Sequence, residues 1–349
     1  MNWVAIGLLM TFGLAAQTPG EKAIQLNLQG NRLAEAGQYA QSLPIYRDTL
    51  DIWRSMGADY EGHLAATLLN YGIALAGDGQ RPAAVKVLEQ ALALHRKALG
   101  PEHHRTIINM NLLAGNYLML DDSGRAEELF ESALQIERAQ FPSDSQTART
   151  LEGLSSVSIQ RERGKEALAF SEEALTIAIQ SMGEESVDTA LAYASVAEAH
   201  RYMGATERAL PLYRKARMLY EKALGPAHPR VATLLGQEGL ILMNDGKLSM
   251  AEKAMTECLA ILRKSCPVCV TEISLAETNI GLLRLRQKRW ADANAALTTA
   301  VEMREKFSLR PGPELADALR NLAIAREKLR LYDDAARLNS RAQMIRGLR

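Results

Sequence analysis

Small side chains recur along one helical face of this chain at a nearly fixed interval. The positions are Ser42, Ala84, Ala126, Ala167, Ala209, Ala251, Ala293 and Ala335, spaced 42, 42, 41, 42, 42, 42 and 42 residues apart. Four residues after each come Tyr46, Leu88, Phe130, Ser171, Tyr213, Met255, Leu297 and Asn339, most of them bulky. Seven residues after each come Thr49, Ala91, Ala133, Ala174, Ala216, Cys258, Ala300 and Ala342, all small. Residues at i, i+4 and i+7 share one face of an α-helix. The pattern therefore predicts eight helices, each with a groove of small residues that lets a neighbour approach closely.

A second helix precedes each of these. Twelve residues upstream lie Gly30, Gly72, Ala114, Ser155, Ala197, Gly239, Gly281 and Ala323, with mostly large apolar residues four positions earlier. Between the two helices, Gly37, Gly79, Gly204 and Gly246 stand at one common phase. Glycine supplies the left-handed backbone that ends a helix. The unit is thus helix A, a tight turn and helix B. One such hairpin cannot bury its apolar face alone, so successive hairpins must stack around a continuous core. Repeats are expected at about 22–56, 64–98, 106–140, 147–180, 189–223, 231–265, 273–307 and 315–348.

The chain has 349 residues, of which 23% are charged, and its 41 basic and 41 acidic residues cancel. A neutral protein is poorly suited to neutralising nucleic-acid phosphates or docking on an anionic membrane. The one long apolar run, Val4 to Leu14, is too short to cross a bilayer as a helix. Small residues follow it at Ala15 and Ala16, as in a secretory signal peptide. Residues 1–16 are expected to be such a signal, and 17–349 the repeat region, placing the protein in the periplasm or outside the cell. No lysine or arginine precedes the apolar run, which keeps an ordinary first helix and a cytoplasmic location open.

Leu113, Ala114 and Tyr117, followed by Ala126, Phe130 and Ala133, resemble the consensus of the tetratricopeptide repeat. The usual unit of that family has 34 residues. The extra length here falls after helix B, in Leu99-Gly100-Pro101-Glu102-His103 and Leu224-Gly225-Pro226-Ala227-His228. Those turns are similar to the long repeats of kinesin light chains and their bacterial relatives. The resemblance implies an all-α, right-handed solenoid of about eight stacked helix-turn-helix repeats. It also implies a non-enzymatic scaffold that holds a protein or peptide in a concave groove lined by the A helices, with no cofactor and no metal. An accessory role in an envelope or secretion assembly is the alternative.

Carried over residue by residue, the groove comprises Leu69, Asn70, Ile73, Asn111, Leu118, Arg201, Asn279, Leu282 and Asn321. The apolar members suit a peptide's side chains, and the asparagine amides can donate to and accept from its backbone. Several of these residues could equally pack between adjacent A helices. The cationic positions of the chaperone-tail clamp found in related repeats correspond to Asn27, Ile108 and Leu112, so that ligand class is rejected.

Cys266-Pro267-Val268-Cys269 can form a disulfide, stay as two thiols, or serve redox or metal chemistry. His103, His104 and His228 fall in equivalent inter-repeat turns, where capping a helix is the plainer reading. Residues 320–349 carry eight basic and three acidic side chains, fitting a polar end cap or contact with an acidic partner.

Overall fold

The structure is a computed structural model that describes residues 17–307 and 312–347. The expected signal segment, 1–16, lies outside the described residues. Among those described there are sixteen α-helices and no strand. They fall into two compact units, one ending at Gln140 and the other beginning at Phe141.

The first unit holds α1 (Pro19–Glu35), α2 (Tyr39–Met56), α3 (Glu61–Gly77), α4 (Arg81–Leu99), α5 (His104–Leu118) and α6 (Ser123–Gln140). A short 3-10 helix, Ala58–Tyr60, leads into α3. The second unit holds α7 (Ser145–Gln160), α8 (Gly164–Met182), α9 (Val187–Tyr202), α10 (Thr206–Leu224) and α11 (Pro229–Asn244), then α12 (Leu248–Ser265), α13 (Val270–Arg286), α14 (Trp290–Phe307), α15 (Pro313–Lys328) and α16 (Tyr332–Gly347). Odd-numbered helices are the A helices and even-numbered ones the B helices. Within each unit every helix packs against its chain neighbours, giving the one-dimensional stacking of an α-solenoid. A helices also touch the next A helix, in α1–α3 and α3–α5 and again in α7–α9, α11–α13 and α13–α15. The A side is therefore the tighter side of each stack.

All twenty-four periodic small positions are buried. The structure adds what they face. In four hairpins the A-helix glycine meets the large B-helix residue sixteen positions later. A Cβ built on Gly72 would lie 2.6 Å from Leu88, on Gly239 2.6 Å from Met255, on Gly281 2.4 Å from Leu297 and on Gly30 2.8 Å from Tyr46. A methyl group at these sites has no room, which is why glycine stands in the middle of a helix despite its entropic cost.

Each A-to-B turn closes with the same pair of backbone hydrogen bonds. The Gly37 and Gln38 N–H groups donate to Ala34 and Leu33, and Lys288 and Arg289 donate to Leu285 and Arg284 in the same pattern. This is the Schellman closure, which needs one left-handed residue. Gly37, Gly79, Gly204 and Gly246 supply it as expected, with φ of 72° to 82°. The other four turns put Asp121, Glu162, Lys288 and Arg330 in that conformation, at φ of 60° to 63°.

Candidate functional site

The A-helix faces of the two units differ in chemistry. In the second unit, α7, α9 and α11 line an open pocket of about 260 Å³. Its wall consists of Ser155, Ser156 and Ile159 from α7, Ala194, Ser195 and Glu198 from α9, Thr233, Leu234 and Gln237 from α11, and Tyr213 reaching across from α10. Glu198 organises one side. Arg201, one turn on, donates from Nε at 2.9 Å and through a second guanidinium nitrogen, and the Tyr213 hydroxyl donates to the same carboxylate. Burial pushes the Glu198 carboxyl up, but these charge-assisted hydrogen bonds together outweigh it and hold the group below its ordinary range. Burial and the adjacent carboxylate raise the Tyr213 hydroxyl.

Glu152, next to the pocket on α7, behaves in the opposite way. It is 8% exposed, and burial followed by repulsion from Asp188 raises it to about 8. Arg149 and Arg230 offset part of that rise. Arg149 is spent on Asp188, 2.9 Å away, and Arg230 lies over the ring of Tyr220. Glu152 is therefore largely protonated at neutral pH.

The first unit's A helices instead expose several apolar side chains. Ile24 and Leu28 on α1, Ile73 on α3 and Met119 just after α5 are exposed apolar side chains. Leu69, Asn70, Asn111 and Leu118 sit half-buried around them. Tyr46 makes the contact equivalent to that of Tyr213, but its hydroxyl donates to the neutral Asn31 at 2.8 Å.

The remaining sequence candidates scatter. Arg201 belongs to the α9 cluster. Leu282 and Asn321 are half-buried on α13 and α15, whereas Asn279 is buried at 9% exposure. Asn70, Asn279 and Asn321 thus share a phase but not an exposure. Cys266 and Cys269 are joined by a disulfide between α12 and α13. Cys258 is free and buried, its thiol pushed up to about 11 by burial. A thiol so raised is a poor nucleophile. His103 and His228 cap α5 and α11, each Nδ1 accepting a backbone N–H at 3.1 Å. His63 stacks on Trp53. His95 is fully buried in the first unit, with Nδ1 3.4 Å from the Asn109 amide.

The polar pocket residues Ser156, Ser195, Thr233 and Gln237 were not sequence candidates. Ser195 and Gln237 stand two residues before the periodic small residue of their helices, Ser156 one after and Thr233 six before, so only the shared phase of Ser195 and Gln237 was an available signal.

The fold and its repeated packing contacts define a helical-hairpin repeat protein. The tetratricopeptide-repeat family model matches residues 63–139 and 146–222, so those stretches are tetratricopeptide repeats, and the other hairpins repeat their packing. Solved structures agree on the fold. The chain is similar to the quorum sensor NprR from B. thuringiensis in its apo form, with a TM-score of 0.68 and 13% identity over 93% of this chain and 87% of that one. A Rap protein complexed with Competence and Sporulation Factor gives a TM-score of 0.62 and 14% identity, over 95% and 98% of the two chains. The TPR-like repeats of a kinesin light chain from Podosopora anserina give a TM-score of 0.50 and 20% identity, over 59% and 98%.

Proposed function

We propose that this protein is a non-enzymatic scaffold that binds a partner protein or peptide along its A-helix faces. The observation that carries this reading is the solvent-open side of those helices. It offers exposed apolar anchors, Ile24, Leu28 and Ile73 in the first unit and Leu275 and Ile324 in the second, together with the open pocket on α7, α9 and α11. Burying one such anchor in an interface contributes about 1.5–3 kcal/mol, and a few anchors commonly dominate binding. That a similarly folded Rap protein is complexed with Competence and Sporulation Factor supports the reading by analogy of fold.

Affinity capture with the purified chain, and identification of what is retained, tests it. Ile73→Asp and Leu275→Asp replace side chains that are 40% and 48% exposed, so both variants should fold. Each should weaken capture of the same partner at least tenfold, the equivalent of about 1.4 kcal/mol. Glu131→Lys, on an exposed B-helix position, should do little. Normal capture by both folded aspartate variants would remove the A-helix faces from the binding surface.

We also propose an oxidising compartment as the place of action. The apolar segment before Ala15 and the Cys266–Cys269 bond support this. N-terminal sequencing should find mature protein beginning near Ala16 or Gln17. An intact Met1-Asn2-Trp3 on protein from the cytoplasm would overturn it.

A further inference from the structure

The pocket on α7, α9 and α11 has an unusual hydrogen-bond inventory, because its hydroxyl protons are already used. Ser155 donates to Ala167 O at 2.9 Å, and Ser156 donates to Glu152 O at 3.0 Å. Ser195 and Thr233 donate to Leu191 O and Pro229 O, each at 3.2 Å. Tyr213 donates to Glu198. A serine or threonine hydroxyl has one proton and two lone pairs. Once the proton is given to the helix backbone, the oxygen can only accept. Glu198 is an ionised acceptor, and the Gln237 Oε1 atom is buried with no donor facing it. Among the wall's side chains the only N–H group is the Gln237 amide.

We propose that this pocket receives a lysine or arginine side chain of the bound peptide. This deepens the scaffold reading and rests on it. A mainly apolar wall whose polar atoms nearly all accept selects a group that brings donors on an apolar stem and needs no donor in return. Ammonium and guanidinium have that property most fully, carrying three and five N–H donors and no acceptor, whereas the donor-only indole brings a single N–H on a wide ring in place of a slim stem. A peptide backbone brings one acceptor for every donor, so its carbonyls would be stranded here at the cost of an unmade hydrogen bond. A carboxylate brings only acceptors and would find one side-chain donor here, the Gln237 amide. Ile159, Ala194 and Leu234 supply the apolar part of the wall, where a long methylene stem can lie while its head reaches the oxygens. Glu198 keeps capacity for a further donor, since a carboxylate accepts at about four lone-pair sites and three are filled by Arg201 and Tyr213.

The test uses the full chain and five acetylated, amidated heptapeptides of alanine and glycine. They carry lysine, arginine, norleucine, glutamine or glutamate at the centre, and are titrated at fixed ionic strength by amide chemical shift. The lysine and arginine peptides should bind at least tenfold more tightly than the other three, with shifts confined to α7, α9 and α11. Thr233→Val and Gln237→Met conserve volume while removing acceptors, and combined they should erase that preference with the circular dichroism spectrum unchanged. Equal affinity for all five peptides overturns the proposal, as does a cationic preference that survives the double variant. The two readings fail separately. Loss of lysine preference with capture still abolished by Leu275→Asp removes the pocket assignment alone. Intact lysine preference with normal capture by Ile73→Asp and Leu275→Asp removes the scaffold surface alone.

Discussion

The two units use one packing register and dress it with different chemistry. Tyr46 in the first and Tyr213 in the second occupy the same position on a B helix, both almost fully buried. Both send a hydroxyl to the A-helix residue that follows the periodic small position, Asn31 in one case and Glu198 in the other. The neutral version leaves an apolar A-helix face with Ile24, Leu28 and Ile73 exposed. The charged version recruits Arg201 and sets a carboxylate into the wall of an open pocket. The packing residues therefore fix where side chains point, and the neighbouring positions are free to set what they offer. The buried titratable groups differ accordingly. The first unit buries Glu137 and His95, the second His200, Glu238, Glu277 and Glu152; of these, His95 is moved down and Glu152 up by burial.

Those two groups should give the units opposite pH limits. Glu152 is raised from 4.5 to about 8 in the folded chain, so the folded state holds its proton more tightly than the unfolded state. The stability this confers is complete below about 4.5 and is lost as pH rises toward 8. At about 1.4 kcal/mol per pH unit, the ceiling is near 5 kcal/mol, the largest effect expected here. Glu152→Gln should therefore be neutral at pH 4 and clearly stabilising at pH 9 in urea denaturation. The His95 ring is lowered from 6.5 by burial and then by Arg105 and His103. It favours folding in its neutral form, so stability is full above 6.5 and falls as pH drops below that value. Unfolding of the first unit, followed through Trp53 fluorescence with Trp3 and Trp290 both replaced by phenylalanine, should be acid-sensitive and indifferent to Glu152→Gln. If both units lose stability in the same direction of pH, the buried groups do not control the difference.

The shared register can be broken in either unit at similar cost. Gly72→Val and Gly281→Val each place a branched side chain against a buried leucine that a Cβ alone would already meet within 2.6 Å or less. Overpacking of this kind costs about 1–3 kcal/mol. For a domain this size, that lowers the thermal midpoint by several degrees. Gly115→Ala, also inside a helix but with nothing within 4 Å of the added Cβ, should raise stability by about 0.5–1 kcal/mol. Calorimetry on the three variants distinguishes the two classes of glycine. Equal effects would mean that helix propensity, and not the A-to-B contact, explains the periodic glycines.

Much of this architecture was legible because packing repeats. The 42-residue spacing exposed the small positions, and all of them are buried. Four turn glycines were legible for the same reason. The contact between Gly281 and Leu297 was not, since periodicity shows which residues share a face but not what the face meets. The pocket was harder still. Ser195 and Thr233 look like ordinary helix-surface residues, and their capacity to accept appears only when their protons are seen directed at Leu191 O and Pro229 O. Nor could spacing foretell that Asn279 is buried while Asn321, at the same phase, is half-exposed, because exposure depends on the neighbouring helix.

The smallest predicted effects lie in the turns, and they sharpen the comparison between units. The first unit closes two of its three turns with glycine, Gly37 and Gly79, and the third with Asp121. The second closes only two of five that way, using Glu162, Lys288 and Arg330 for the others. A side chain in the left-handed region crowds its Cβ against the carbonyl oxygen, at about 1–2 kcal/mol for most residues and less for aspartate, whose short side chain can bond locally. Glycine removes that crowding but gives back part of the gain, about 0.4–1 kcal/mol, through the greater freedom of the unfolded chain. Lys288→Gly and Arg330→Gly should therefore stabilise by about 0.5–1 kcal/mol each. Asp121→Gly should be close to neutral. Gly204→Ala should destabilise by about 1 kcal/mol, although nothing lies within 4 Å of its added Cβ, because the cost is in the backbone and not in packing. Each change acts on its own turn's backbone, so Lys288→Gly combined with Arg330→Gly should add within about 0.5 kcal/mol. A destabilising Lys288→Gly would show that its left-handed turn carries no strain, and would remove this difference between the units.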